Sequence, residues 1–250
     1  ARSLRPHLQT NIMDSSMPDP TNSQPPTAGF WRAVSAIAWK DLAAELRNKE
    51  IVSALFIFSL LVILIFNFAL ELDKVARENV AAGVLWVTFV FSATLGLNRT
   101  FAAEKDRGSL DGLLLAPIHR SALYFGKLLS TFVFILIVEI IVIPVFSVLY
   151  NISLFSPPFL LVVLLGTLGY AMVGTLLAAM AIHTRAREVM LPILLFPVAV
   201  PVVMAAVRAS AGILAGAEWG RFAGAFNLVV IYDTIMLAIA IMTFDYLIEE

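Results

Sequence analysis

Residues 125–150 read FGKLLSTFVFILIVEIIVIPVFSVLY. From Leu128 onward the stretch carries a single ionisable residue other than tyrosine, Glu139, and shows no alternation of apolar with polar positions. A helix rising 1.5 Å per residue needs about 20 residues to cross about 30 Å of hydrocarbon, and this run is longer than that. Inside lipid every backbone N–H and C=O must be satisfied by the protein itself, which leaves helices and closed barrels. Barrel strands alternate lipid-facing apolar residues with polar ones, and the continuous run excludes them. The stretch is a transmembrane helix, and it sets the class of the whole chain.

Five further apolar stretches flank it, at about 51–70, 80–98, 159–182, 189–208 and 226–247. The composition agrees: 60% of the 250 residues are hydrophobic and only 14% are charged, with a mean hydropathy of +0.90. Soluble domains average roughly 45–50% apolar and about 25% charged, so a soluble domain is excluded and an all-α integral membrane protein is expected. The formal charge of −1 offers no basic field for nucleic acid. Cysteine is absent, which removes disulfides, thiolate zinc sites, iron–sulfur clusters and cysteine nucleophiles. Residues 1–29 hold five prolines among Ser, Thr, Asn and Gln, with no apolar run; they read as a disordered Pro-rich tail.

Lysine and arginine are unevenly shared between the two sides. From residue 30 on, one side carries Arg32, Lys40, Arg47, Lys49, Arg99, Lys105, Arg107, Arg120, Lys127, Arg185 and Arg187; the other carries Lys74, Arg77, Arg208 and Arg221. The positive-inside rule then expects six spans with both termini in the cytoplasm, together with the 99–124 and 183–188 loops. Ahead of the first span, residues 30–48 place Phe30, Val34, Ile37, Ala38, Leu42 and Leu46 at helical spacing. Arg32, Lys40, Asp41, Glu45 and Arg47 fall mostly on the other faces, and Trp31 and Trp39 suit a headgroup belt. An N-terminal interfacial helix is expected.

The loop from Arg99 to Leu129 reads RTFAAEKDRGSLDGLLLAPIHRSALYFGKLL. Gly108 breaks the helix that precedes it. Ser109 suits the N-cap of a short helix over 110–116 that presents Leu110, Leu113, Leu114 and Leu115, and Pro117 ends it. An apolar knob between charged flanks fits a groove on a soluble partner; an ordinary helical hairpin lying on the headgroups is the alternative reading.

The pattern made by Glu104, Gly108, Leu110, Leu113, Leu114, Pro117, Arg120 and then Gly126-Lys127-Leu128-Leu129 resembles the ABC-2 type transporter permeases. The fuller motif F-A-x-E-x-x-x-G-x-L-D-G-L-L-L-A-P, with E-L-R-N-K-E at 45–50 and Y-D at 232–233, is similar to the heme exporter protein B (CcmB) family of cytochrome c maturation. The likeness covers residues 30–250, which the resemblance makes one six-span permease domain in a bacterial inner membrane. It implies a non-catalytic subunit, with ATP bound by a separate ATPase (CcmA-like) and heme as substrate rather than cofactor. It further implies a permease homodimer, a heme-handling membrane subunit (CcmC-like) and a heme chaperone (CcmE-like). By the same resemblance Glu104, Arg107, Gly108, Leu110, Leu113, Leu114, Pro117 and Arg120 form a cytoplasmic coupling helix and its flanks. The chain contains no G-x-x-x-x-G-K-[ST], so it cannot cradle ATP phosphates itself. A permease of the same superfamily for a drug, lipid or glycan is the alternative.

No catalytic, cofactor or metal site is legible. His7, His119 and His183 lack i, i+4 spacing, and no G-x-S-x-G occurs. The carboxyls of Glu139 and Asp233 lie inside spans, at a cost of about 2.5–3.5 kcal/mol each on insertion scales, so each should face the bundle interior or water. One reading is a protonated carboxyl bonded to a neighbouring helix, or a pair with Tyr232 or Arg208; the other is a polar lining of a path or of a subunit seam. In the fourth span Thr167, Ala171, Thr175 and Ala179 form a small-residue ladder beside Gly166 and Gly174, suited to close packing within the subunit or to a dimer seam. Pro192, Pro197 and Pro201 should bend or break the fifth span. Residues 208–225, with Gly212, Gly216 and Gly220, read as a long outer segment.

Overall fold

In the computed structural model the described residues are 29–69, 74–106, 120–181 and 187–247. Their regular structure is entirely helical: α1 (Phe30–Arg47), α2 (Lys49–Ala69), α3 (Lys74–Asp106), α4 (Arg120–Tyr150), α5 (Pro157–Ala181), α6 (Arg187–Leu214) and α7 (Trp219–Leu247). All except α1 contain a stretch long and apolar enough to cross a membrane. The chain is an all-α, six-span membrane protein with an additional N-terminal helix.

Helices α3 and α5 form the centre, with most of their membrane stretches buried inside the bundle. Glycine sets how closely neighbours approach α5. A Cβ at Gly166 would collide with the Trp86 ring of α3, and one at Gly174 would sit 2.5 Å from Leu97. Lipid tails are as apolar as leucine, so contact between spans is driven by close packing and interhelical hydrogen bonds rather than by escape from water. Most of the ladder expected in this span is accordingly spent inside the subunit: Gly166, Thr167, Ala171, Gly174 and Thr175 are buried, while Ala179 is half-buried.

The expected long outer segment at 208–225 does not exist. Helix α6 continues to Leu214, and a short turn leads into α7. The turn is a Schellman motif: Gly216 takes φ 64°, its N–H reaches the Ile213 carbonyl, and the Ala217 N–H reaches that of Gly212. Gly212 lies within α6, where a Cβ would stand 2.8 Å from that of Phe222 on α7. Two of the glycines read as loop-formers thus serve a helix cap and a helix contact, and Gly220 lies within the first turn of α7. Helix α6 is also unbroken across Pro192, Pro197 and Pro201; Pro197 and Pro201 lie on its exposed side, where the missing hydrogen bonds disturb no packed neighbour.

Helix α1 departs from the expected division of faces. Its buried side holds Ala33, Val34, Ile37 and Ala38, but also Asp41 and Glu45, while Leu46 is exposed. Trp31 and Trp39 are 77% and 74% exposed. The inner side meets α4, and that contact determines why Asp41 turns inward.

Candidate functional site

Two polar regions stand out against the apolar bundle. The first lies where α1 crosses the start of α4. Gly126 opens the crossing: a Cβ there would be 2.7 Å from the Cβ of Ile37 and 3.2 Å from the Val34 carbonyl oxygen. One residue on, the Lys127 ammonium lies 3.4 Å from Asp41 Oδ2, with both side chains almost fully buried, and Lys40 approaches Asp41 Oδ1 at 3.0 Å from the exposed side. Asp41 turns inward because its partner is on α4. The Gly-Lys pair at the head of the span therefore seats α1, the glycine by giving room and the lysine by giving countercharge.

This crossing borders the segment singled out as a docking loop. Glu104 belongs to the last turn of α3 and Arg120 begins α4. Arg107, Gly108, Leu110, Leu113, Leu114 and Pro117 lie outside the described residues. The two ends of the segment are thus fixed on helices that meet the same end of the bundle, and one of those helices carries α1.

The second region lies deep in the bundle around Glu139. The Thr167 hydroxyl of α5 donates to Glu139 Oε1 at 2.6 Å, and Glu139 is 2% exposed. Two small cavities adjoin it, each with room for the centre of about one water molecule, about 10 Å³. Trp86, Thr167 and Tyr170 line the first; Leu55, Ser92 and Phe134 line the second. Hydroxyls and an indole join the surrounding helices. Thr94 and the Tyr170 hydroxyl lie 2.6 Å apart, Trp86 Nε1 donates to Ser210 Oγ at 2.9 Å, and Ser59 and Ser92 lie 2.8 Å apart. These bonds link α2 to α3, α3 to α5 and to α6, and α4 to α5.

Asp233 is separate from this cluster. With α7 beginning at Trp219, it lies near the middle of the last span. It packs on Gly169 of α5, where a Cβ would collide with Oδ1. The expected pairings are not found among the described residues: the Tyr232 hydroxyl donates instead to the Val198 carbonyl at 2.7 Å, and Arg208 is exposed. Of the two intramembrane carboxyls, the bundle brings only Glu139 together with other polar side chains.

Sequence reading missed Thr167, Ser59, Ser92, Thr94, Ser210 and the Asp41–Lys127 pair as polar partners. The available signal was the recurrence of hydroxyls at i, i+4 within α3, at Thr88 and Ser92, and opposite them on α5. Among the described residues no group of His, Cys, Asp or Glu is arranged to hold a metal ion.

The family model described as CcmB protein matches residues 32–247. Heme exporter protein B of Bradyrhizobium diazoefficiens is 24% identical over 208 residues, covering 83% of this chain and 93% of that protein. The protein of the same name from Paracoccus denitrificans is 30% identical over 162 residues, 64% of this chain and 74% of its own length. That of Rhodobacter capsulatus is 30% identical over 147 residues, 58% of this chain and 66%, just under two thirds, of its own length.

Proposed function

The chain belongs to the CcmB family, and from that premise we propose that it is the membrane permease subunit of an ATP-driven complex for cytochrome c maturation, engaged in heme export and release of the heme-loaded chaperone. The match over residues 32–247, together with relatives named heme exporter protein B, carries this reading. The subunit is non-catalytic. It has no phosphate-binding loop of its own, so hydrolysis falls to a separate ATPase chain, and heme is cargo rather than a resident group.

The ATPase docks on the region from Glu104 to Arg120, through the leucines at 110, 113 and 114. Force applied there enters α3 and α4. Because α1 is seated on α4 by Gly126 and the Asp41–Lys127 pair, α1 and the head of α4 move as one body. The lysine and arginine asymmetry supports an orientation in the bacterial inner membrane with both termini and this loop in the cytoplasm. Two copies of the permease work with two ATPase chains, a heme-handling membrane subunit and a heme chaperone.

Affinity purification in mild detergent tests the reading. Recovery of an ATPase together with heme-handling subunits is the expected result; an ATPase with unrelated partners would mark a permease for another cargo, and no ATPase would remove the proposal. Deletion of the gene should abolish holo-cytochrome c. Asp at both Leu113 and Leu114 should release the ATPase while the six-span subunit still accumulates in the membrane.

A further inference from the structure

The carboxyl of Glu139, buried deep in the bundle, has one half accounted for. Thr167 donates to Glu139 Oε1, whereas Oε2 is buried and has no hydrogen-bond partner among the described residues. The residues that line the two adjoining cavities include no lysine, arginine, histidine or second carboxyl, and Tyr170 is the one other titratable group. Lys127, on the same helix, is held by Asp41 at the end of the bundle. An ionised carboxylate at Glu139 would be a buried charge with no countercharge, and a neutral acid there needs an acceptor for its proton.

The second cavity supplies the place for that acceptor. It lies between Glu139 and Ser92, and at about 10 Å³ it matches the smallest space that holds one water. The hydrogen bonds beyond it have a fixed direction. The Ser59 hydroxyl donates to the Leu55 carbonyl at 2.7 Å, so its one proton is committed. In the Ser59–Ser92 contact the donor must then be Ser92, which leaves the Ser92 oxygen free to accept. A water in the cavity can accept from an acid at Glu139 and donate to Ser92, and no donor in this chain faces another donor.

We propose that the cavity between Glu139 and Ser92 is a binding site for one water molecule, and that Glu139 stands there as a neutral carboxylic acid. The resulting chain runs from Ser92 and Ser59 through the water to Glu139 and Thr167, and so ties α2, α3, α4 and α5 through a single buried molecule. The site is independent of what the complex carries, so its failure and the failure of the heme reading are separate results.

Infrared difference spectroscopy on the full chain in lipid vesicles tests it. Glu139→Gln should remove one carboxylic-acid carbonyl band seen in the wild type at neutral pH. Ser92→Val fills the cavity; it should shift that band to higher wavenumber and abolish one water O–H stretch that responds to exchange into H₂¹⁸O. Loss of no acid band in Glu139→Gln would mean an ionised Glu139 and would overturn the proposal. An unchanged band and an unchanged ¹⁸O-sensitive stretch in Ser92→Val would overturn the water site. Ser92→Val leaves the carboxyl in place, so it remains a test even if Glu139→Gln fails to assemble.

Discussion

The α1–α4 crossing and the surroundings of Glu139 solve the same problem at two depths. At the crossing, near the end of the bundle, a carboxylate meets a lysine at 3.4 Å and a second lysine at 3.0 Å from the exposed side. Around Glu139, deep in the bundle, no cation lines either cavity, and a hydroxyl at 2.6 Å takes the cation's place. Full charges are used where water or headgroups lie one side chain away. Hydroxyls, an indole and a carboxyl are used where they do not. Depth, rather than residue type, decides which kind of bond holds the helices together.

The difference is sharpest when one partner is removed. Lys127→Ala removes the inner of the two lysines that face Asp41, leaving Lys40 as its countercharge, and should cost about 1.5–3 kcal/mol, read as a fall in thermal midpoint in detergent. Adding Asp41→Asn should restore much of it, and a double change no better than the single one would break the account of that pair. Gly126→Val tests the other half of the seat. Its branched side chain meets Ile37 where a Cβ alone would be 2.7 Å away, so it should destabilise by about 1–3 kcal/mol. It should also expose α1 to limited proteolysis while the six spans persist.

The deep site should respond more gently. Thr167→Val removes the one hydroxyl bonded to Glu139 and should cost about 0.6–1.7 kcal/mol, from the average to the upper end for hydrogen bonds between spans. Glu139→Gln keeps an acceptor for Thr167 and should fall below about 0.6 kcal/mol. A Glu139→Gln variant clearly more stable than the wild type would show that Glu139 is an uncompensated charge after all, and the contrast between the two regions would collapse.

The six spans were legible because hydropathy over about 20 residues reports length and apolarity, and those alone define a crossing helix. Which spans form the centre was far less legible. The membrane stretch of α2 is 17% buried and that of α5 67% buried, yet both are apolar throughout. What separates them is small residues: α5 has Gly166, Gly169 and Gly174 where α2 has none. The ladder was visible, but its partners on α3 and α7 come from distant sequence. The α6–α7 turn was misplaced for a related reason, since glycine serves loops, helix caps and close contacts alike. Asp41 was assigned to the wrong face because amphipathicity weighs an acid as polar without knowing that a lysine 86 residues later will meet it. The hydroxyls around Glu139 were overlooked because a lone serine or threonine barely lowers the hydropathy of a span. The docking residues from Arg107 to Pro117 rest on the pattern of the loop and on the resemblance, since they lie outside the described residues.

The 86 residues between Asp41 and Lys127 also impose an order on biogenesis. At about 5–20 residues per second, α1 leaves the ribosome roughly 4–17 s before its countercharge does. During that interval Asp41 has only Lys40 beside it, and the Ile37 face has no glycine to rest on. Helix α1 must therefore wait at the membrane surface while α2 and α3 insert. It docks only when the head of α4 arrives, so α1 is made before α2 and α3 and reaches its place after them.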